Sequence, residues 1–338
     1  MKNFGIDFGN GYVKAVSDKG SFVIPSLIAI KELEDNAVSA TFKNDFRINT
    51  FKRKSDDYEY YFGEDLLLEV DEEDVLTTSS NNKRYNTVVF QQMAEFALAE
   101  LASYEEESKV DVRLVTGMPS NEIGFSTLKK DFQTFLEGVH VVSRNGKDII
   151  IDVQEVIIIQ QPLGTLFNIY LNDKSQVHDD FKYGNIVVID FGSGTTIIDE
   201  YKNMKRAGGK TIKNGMRNFY KNIAKTLSTR CEQDVDPLNI EEGIRNGKFL
   251  AEFGQSRLNF RDIFDREVIK KLNETLSAYE DTVNEQGVTA FVTTGGGANV
   301  FNDALKKQKE NFVPTDNSQM ATANGYLKLA KSFDKAKK

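Results

Sequence analysis

The sequence predicts an α/β protein of two similar lobes, each a mixed sheet covered by helices. Three observations carry this expectation. Short β-branched runs alternate with stretches of helical periodicity, the pattern of sheets flanked by helices. One motif occurs twice: Phe4-Gly5-Ile6-Asp7-Phe8-Gly9-Asn10-Gly11 and Val188-Ile189-Asp190-Phe191-Gly192-Ser193-Gly194 share the order apolar-Asp-Phe-Gly-polar-Gly, about 183 positions apart. That distance is far beyond the period of a solenoid and suggests two similar halves. The length of 338 residues also suits two domains at roughly 150 residues each.

The elements follow in order. Residues 3–7 form an apolar run that meets the turn Gly9-Asn10-Gly11, and a second run follows at 12–16, which together predict a β-hairpin. Phe22-Val23-Ile24 before Pro25 is a further strand. Residues 31–86 are polar and weakly periodic, with acidic residues over 69–74 and a polar stretch over 77–83, and predict a small inserted subdomain or a mobile surface region. The acidic run is expected to be a solvated face. Val88, Val89, Phe90, Met93, Phe96, Ala97 and Leu101 recur at helical spacing, predicting a helix over about 87–104. Residues 111–116 predict a strand ending at Gly117-Met118-Pro119-Ser120, and Phe125, Leu128, Phe132, Phe135 and Leu136 mark the next helix.

The run 149–159 is β-branched and almost continuously apolar, as buried strands are, with a helix expected over 163–170. Residues 185–190, the turn Gly192-Ser193-Gly194 and the run 195–199 form the second hairpin. Helices are expected over 214–229, 239–247 and 257–286. Residues 288–293 predict a strand that meets Gly295-Gly296-Gly297, and helices near 299–308 and 319–333 precede a basic tail at 332–338.

Composition excludes several classes. Apolar residues make up 40% and charged residues 28%, an ordinary globular balance. The formal net charge of −8 argues against a surface that grips nucleic acid directly. One cysteine, Cys231, forms no internal disulfide and fits a reducing compartment, and with only His140 and His178 beside it no zinc cage is available. The first residues carry no signal-peptide pattern and no apolar run approaches a spanning helix, so a soluble cytoplasmic protein without membrane partners is expected.

A strand that delivers an aspartate into a glycine turn does two jobs. The turn brings backbone N–H groups close to an anion and suits phosphate. The aspartate is placed to hold hydrated Mg²⁺, which prefers carboxylate and phosphate oxygens. One such turn is an ordinary β-turn; two copies in the same order favour a polyphosphate held from two sides. Lys14, seven residues after Asp7, is a candidate point charge for a phosphate. The strand–glycine–helix segment Val292-Thr293-Thr294-Gly295-Gly296-Gly297-Ala298-Asn299 offers backbone N–H groups at a helix start. Gln161, in Gln160-Gln161-Pro162-Leu163-Gly164-Thr165, is a candidate for orienting an attacking water, against the plainer reading of a proline-led helix start. Gly208-Gly209-Lys210-Thr211 mimics the end of a P-loop, but Met204 stands where its first glycine is required. His140 and His178 are expected to be structural or surface residues, and Cys231 a buried small apolar residue.

Four segments in order resemble the nucleotide-site signatures of the actin superfamily, which includes sugar kinases and heat-shock chaperone ATPases. Asp7-Phe8-Gly9-Asn10-Gly11-Tyr12-Val13-Lys14 resembles the first phosphate loop, Gln161-Pro162-Leu163-Gly164 the connector, Asp190-Phe191-Gly192-Ser193-Gly194-Thr195-Thr196 the second phosphate loop, and Thr294-Gly295-Gly296-Gly297-Ala298 the adenosine loop. Thr116-Gly117-Met118-Pro119-Ser120 and Ala323-Asn324-Gly325-Tyr326-Leu327 are similar to segments of the bacterial ParM-type plasmid-segregation proteins.

The resemblance implies a two-lobed actin-like fold of duplicated α/β domains with a nucleotide cleft between them. Lobe I would span 1–160 with the insert at about 31–86, lobe II 161–315, and 316–338 would be a C-terminal helix returning to lobe I. It also implies an ATPase whose head-to-tail filaments segregate plasmid DNA through an adaptor of ParR type bound to a centromere-like site, with ATP or GTP and Mg²⁺ as cofactors. Asp7 and Asp190 would hold hydrated magnesium, and Asp190 would also polarise the attacking water that Gln161 positions. Asn10, Gly11, Tyr12 and Lys14 would contact the phosphates from one side, Gly192, Ser193, Gly194 and Thr195 from the other, and Gly295, Gly296 and Gly297 would face the adenosine. The competing readings are an MreB-type cell-shape filament, a small-molecule kinase of the superfamily and a non-polymerising nucleotide-gated module.

Overall fold

The computed structural model describes residues 1–31, 47–71, 73–78, 84–172, 174–253, 256–281 and 287–335. Parts of the expected insert (32–46, 72 and 79–83), the end of the helix expected to reach 286 and the last tail residues lie outside the described residues. Along the chain come β1 (Lys2–Phe8), β2 (Tyr12–Val16), β3 (Ser21–Pro25), β4 (Leu27–Ile30), β5 (Ile48–Arg53), β6 (Tyr60–Gly63), α1 (Leu66–Glu69) and β7 (Val75–Thr77). A 3-10 turn at Arg84–Asn86 leads into α2 (Val88–Ala102), followed by β8 (Lys109–Met118), α3 (Ser126–Leu136), β9 (Gly138–Arg144), β10 (Lys147–Gln160) and α4 (Gln161–Tyr170). Then follow α5 (Asp179–Lys182), β11 (Asn185–Phe191), β12 (Thr196–Lys202), β13 (Lys205–Ile212), α6 (Met216–Cys231), α7 (Pro237–Arg245), β14 (Leu250–Phe253), β15 (Ser256–Asn259), α8 (Arg261–Glu280), β16 (Ala290–Thr294), α9 (Ala298–Gln308), β17 (Phe312–Val313) and α10 (Ala321–Lys335).

These elements form two compact units, Met1–Val177 with the chain from Met320 onward, and His178–Gln319. In the first unit the strands join one sheet in the order β3-β2-β1-β8-β10-β9-β5-β6-β4-β7. β1 is buried over all but its first residue, so it needs a neighbour on each edge and cover on each face. It runs antiparallel to β2 and parallel to β8, and β8 runs parallel to β10. Phe90, Met93, Phe96 and Ala97 of α2 and Phe132 and Leu136 of α3 bury into one face with Phe4, Ile6 and Phe8. On the other, Ala323, Tyr326, Leu327 and Ala330 of α10 are buried among Val16 and Val115.

Of the expected 31–86 insert, residues 31, 47–71, 73–78 and 84–86 are among those described. Its described strands continue the main sheet, because Phe51, Tyr60 and Phe62 pack around Phe96. Glu69, Asp71, Glu73 and Asp74 are exposed, as a solvated face should be. The division between units differs from the one expected at 160/161. α4 packs against α10 in the first unit: Thr165 Oγ1 lies 3.1 Å from Thr322 Oγ1, and Lys328 Nζ donates to the Asn168 carbonyl at 2.5 Å.

Strand β9 was missing from the sequence-based expectation and carries His140, which is buried. Its Nδ1 lies 2.8 Å from Glu95 Oε1 and its Nε2 3.1 Å from the Leu136 carbonyl. Only an imidazolium can donate at both nitrogens. Burial opposes the charge, but the hydrogen bonds to Glu95 and Leu136 outweigh it and hold the pKa above its usual 6.5. This pair therefore contributes its full stabilisation below about pH 6.5 and loses it as the pH rises through the raised value. Thermal midpoints measured between about pH 6 and 9 should fall more steeply for the parental protein than for His140→Gln; parallel curves would refute the assignment.

In the second unit the sheet order is β13-β12-β11-β16-β17, with β14 and β15 paired apart from it. Here Val187, Ile189 and Phe191 of β11 bury against Phe219 and Ile223 of α6, Leu272 of α8 and Phe301 of α9. Strands β13, β14, β15 and β17 were not anticipated; each is short or rich in charge and glycine. The P-loop mimic lies within β13, paired along β12. Cys231 is half-buried against the core.

Candidate functional site

The repeated motif folds in each unit into the same device. β1 lies between antiparallel β2 and parallel β8, and β11 lies between antiparallel β12 and parallel β16. The echo extends to the neighbouring strand, where Thr116 stands opposite Ile6 and Thr293 opposite Ile189. In both units the motif's aspartate is buried close to the strand end, just before the glycine turn.

In the first unit, Asp7 pairs in register with Lys14, which puts both side chains on one face. Lys14 Nζ lies 2.9 Å from Asp7 Oδ2. Gln161, the first residue of α4, donates from Nε2 to Asp7 Oδ1 at 3.2 Å. Three sequence-predicted residues thus form one cluster. Two further residues that sequence reasoning missed hold the turn between the strands. Ser26 donates from Oγ to the Gly9 carbonyl at 2.7 Å and from its backbone N–H to the Gly11 carbonyl at 2.9 Å. Arg84 reaches Asn10 Oδ1 and donates to the Phe8 carbonyl at 2.7 Å. The α4 N-terminus is braced from behind by Tyr326, whose hydroxyl donates to the Gln161 carbonyl at 3.3 Å.

In the second unit, Asp190 stands opposite Ile197, so this hairpin has no counterpart to Lys14. The turn closes through Gly192 N–H to the Thr195 carbonyl at 3.0 Å. The first turn of α6 is tied to it: the Met216 and Arg217 N–H groups donate to the Gly192 and Ser193 carbonyls, each at 2.9 Å. The Gly295–Gly297 loop packs on the same strand end, with Gly297 N–H donating to the Phe191 carbonyl at 3.1 Å. Gly295 has φ +88°, and a Cβ there would strike Asp190 Oδ1, so only glycine serves. Gly194 and Gly296 face open space. Sequence reasoning also missed the support of the segment between the second glycine turn and α6. Buried Lys271, its pKa lowered by burial, donates to the Asn214 carbonyl, which also accepts from Thr196 Oγ1 at 3.0 Å.

Among the described residues no group of three or more His, Cys, Asp or Glu side chains could hold a metal ion. Both oxygens of Asp7 are engaged by nitrogen donors. That donor set suits a cation met through its water shell, as Mg²⁺ commonly is, rather than direct multidentate ligation.

The profile of the N-terminal domain of actin-like proteins matches residues 5–164. The chain is similar to the ParM protein of pSK41, solved in its apo form, at 33% identity over 98% of both chains with a TM-score of 0.81. It is also similar to a ParM filament structure from Clostridium botulinum, at 18% identity over 98% of this chain and 99% of that one, TM-score 0.74. Bacillus thuringiensis ParM with ATP is 18% identical over 99% of both chains, TM-score 0.71. No curated protein sequence matches the chain. Among the described residues no helix is long and apolar enough to cross a membrane.

Proposed function

The chain belongs to the ParM-type actin-like proteins, and we propose on that premise that it is an ATP-driven, filament-forming protein. It assembles head-to-tail, hydrolyses ATP to control filament lifetime, and moves plasmid DNA through a DNA-bound adaptor. The observation that carries the reading is the duplicated aspartate–glycine hairpin, each copy braced by further backbone and side-chain hydrogen bonds. Relatives solved with ATP and as filaments support it.

Under this reading Asn10, Gly11, Tyr12 and Lys14 of the first unit, and Gly192, Ser193, Gly194 and Thr195 of the second, receive the β- and γ-phosphates. Gly295, Gly296 and Gly297 face the adenosine. Asp7 and Asp190 would hold hydrated Mg²⁺, which when bound supplies charge neutralisation for the phosphates. Gln161 orients the attacking water, and Asp190 polarises it. A head-to-tail contact does not close on itself, which is what an open filament needs. The net charge of −8 fits DNA binding through an adaptor rather than directly.

Sedimentation with and without ATP–Mg²⁺, with phosphate release followed in parallel, tests the proposal. The protein should pellet only with triphosphate and release phosphate as it does so. Turnover without any pelletable form would overturn filament formation and favour a kinase or a monomeric switch.

A further inference from the structure

Arg84 is a buried cation that the reading above does not use. The sequence gives no reason to single it out, because it stands in a polar stretch 74 positions from Asn10. The 3-10 turn preceding α2 fixes its backbone: the Thr87 hydroxyl donates to the Arg84 carbonyl at 2.7 Å and accepts the Phe90 N–H at 3.3 Å, capping the helix. From there the guanidinium lies over the Phe90 ring, 4.8 Å from its centroid, and reaches the first glycine turn from behind. Its Nη1 donates to Asn10 Oδ1 and its Nη2 to the Phe8 carbonyl.

The guanidinium is costly where it stands. Among the described residues no carboxylate forms an ion pair with it, and its buried Nε has no hydrogen-bond partner. Burial works against its charge, with Asp7 and Glu122 attracting it only at longer range. A buried unpaired charge destabilises a fold unless something compensates. An anion at the turn would supply that compensation.

The two hydrogen bonds also set polarity. An arginine has donors only, so Asn10 must turn Oδ1 toward Arg84 and present its Nδ2 amino group the opposite way. The Phe8 carbonyl, a negative dipole close to the turn, is tied back in the same grip. Both effects make the turn a better receiver of phosphate oxygen.

We propose that Arg84 is the positioning residue of the first phosphate loop, orienting Asn10 as a donor toward the phosphates of the bound nucleotide and placing a fixed positive charge behind them. This rests on the nucleotide reading above. It separates from a merely structural role because it acts on phosphates and through Asn10.

The test titrates ATP–Mg²⁺, ADP–Mg²⁺ and adenosine into parental protein, Arg84→Met, Asn10→Ala and the double variant, each checked for native circular dichroism. Arg84→Met should weaken ATP and ADP by about tenfold or more while leaving adenosine unchanged, and Asn10→Ala should add little in the Arg84→Met background. Parental ATP affinity in Arg84→Met, equal losses for all three ligands, or fully additive losses would each overturn the proposal. Should Arg84→Met fail to fold, Arg84→Lys keeps the charge but loses the two-pronged grip; it should bind ATP more weakly than the parental protein, and equal binding would overturn the assignment. A parental protein that binds no nucleotide would sink the nucleotide reading and this role with it. A parental protein that binds beside an unaffected variant sinks the role of Arg84 alone.

Discussion

Asp190→Asn should release phosphate at least about a hundredfold more slowly than the parental protein while keeping its thermal midpoint. The magnitude follows from what a positioned carboxylate contributes to proton transfer, roughly 10²–10⁴ in rate. Asparagine keeps the shape beside Gly295 and removes only the charge. Asp190 is the stronger choice of the two motif aspartates because of how their surroundings differ. Asp7 already carries Lys14 at 2.9 Å and Gln161 at 3.2 Å on its two oxygens, so it is tied into a fixed electrostatic cluster. Asp190 has Ile197 where Asp7 has Lys14 and stands against the Gly295 loop, where a Cβ would strike its Oδ1, so an exchange there leaves the Asp7 cluster untouched. Single-turnover phosphate release on folded protein decides the matter. A variant hydrolysing at the parental rate would remove Asp190 from the chemistry and leave it a structural partner of the Gly295 loop.

The two hairpins were legible in the sequence because their signal is local. An apolar run, an aspartate, a glycine turn and a second run within about a dozen residues leave few alternatives, and the second copy removes most of those. The helices α2 and α3 were legible for the same reason, through the helical spacing of their apolar residues. What escaped lies in contacts between distant segments. β9 is a short strand whose alternation is masked by His140 and Arg144, both of which turn out to be paired with carboxylates, Glu95 and Glu100. The region after residue 47 reads as polar, yet Phe51, Tyr60 and Phe62 occur at strand-like intervals among the charges and join the sheet. Arg84 shows the same limit at the site itself: a lone arginine in a polar stretch has no local signature, and only the fold brings it behind Asn10. The placement of α4 with the first unit depends on residues 157 positions apart in sequence, Thr165 and Thr322, which no periodicity could connect.

Gly325→Ala should destabilise the first unit by about 3 kcal/mol, at the upper end of the usual cost of overpacking. Where α10 crosses α4, the two backbones meet without side chains between them. A Cβ at Gly325 would collide with the Gly164 carbonyl, and one at Gly164 would lie 2.6 Å from the Thr322 carbonyl. The obstructing atoms are backbone, so no rotamer change relieves the clash; the helices must move apart. Separation would loosen Tyr326, which is buried and donates to the Gln161 carbonyl, and through it the start of α4. Gln161 would then lose its fixed reach to Asp7. The loss of stability and the loss of phosphate release should therefore appear together in Gly325→Ala, whereas Tyr326→Phe, which removes only the hydroxyl, should affect release more than the thermal midpoint. Denaturant unfolding and phosphate release measured on both variants provide the comparison. A Gly325→Ala protein as stable as the parent would show that the helices have room to separate, and the glycine pair would then have no part in holding Gln161.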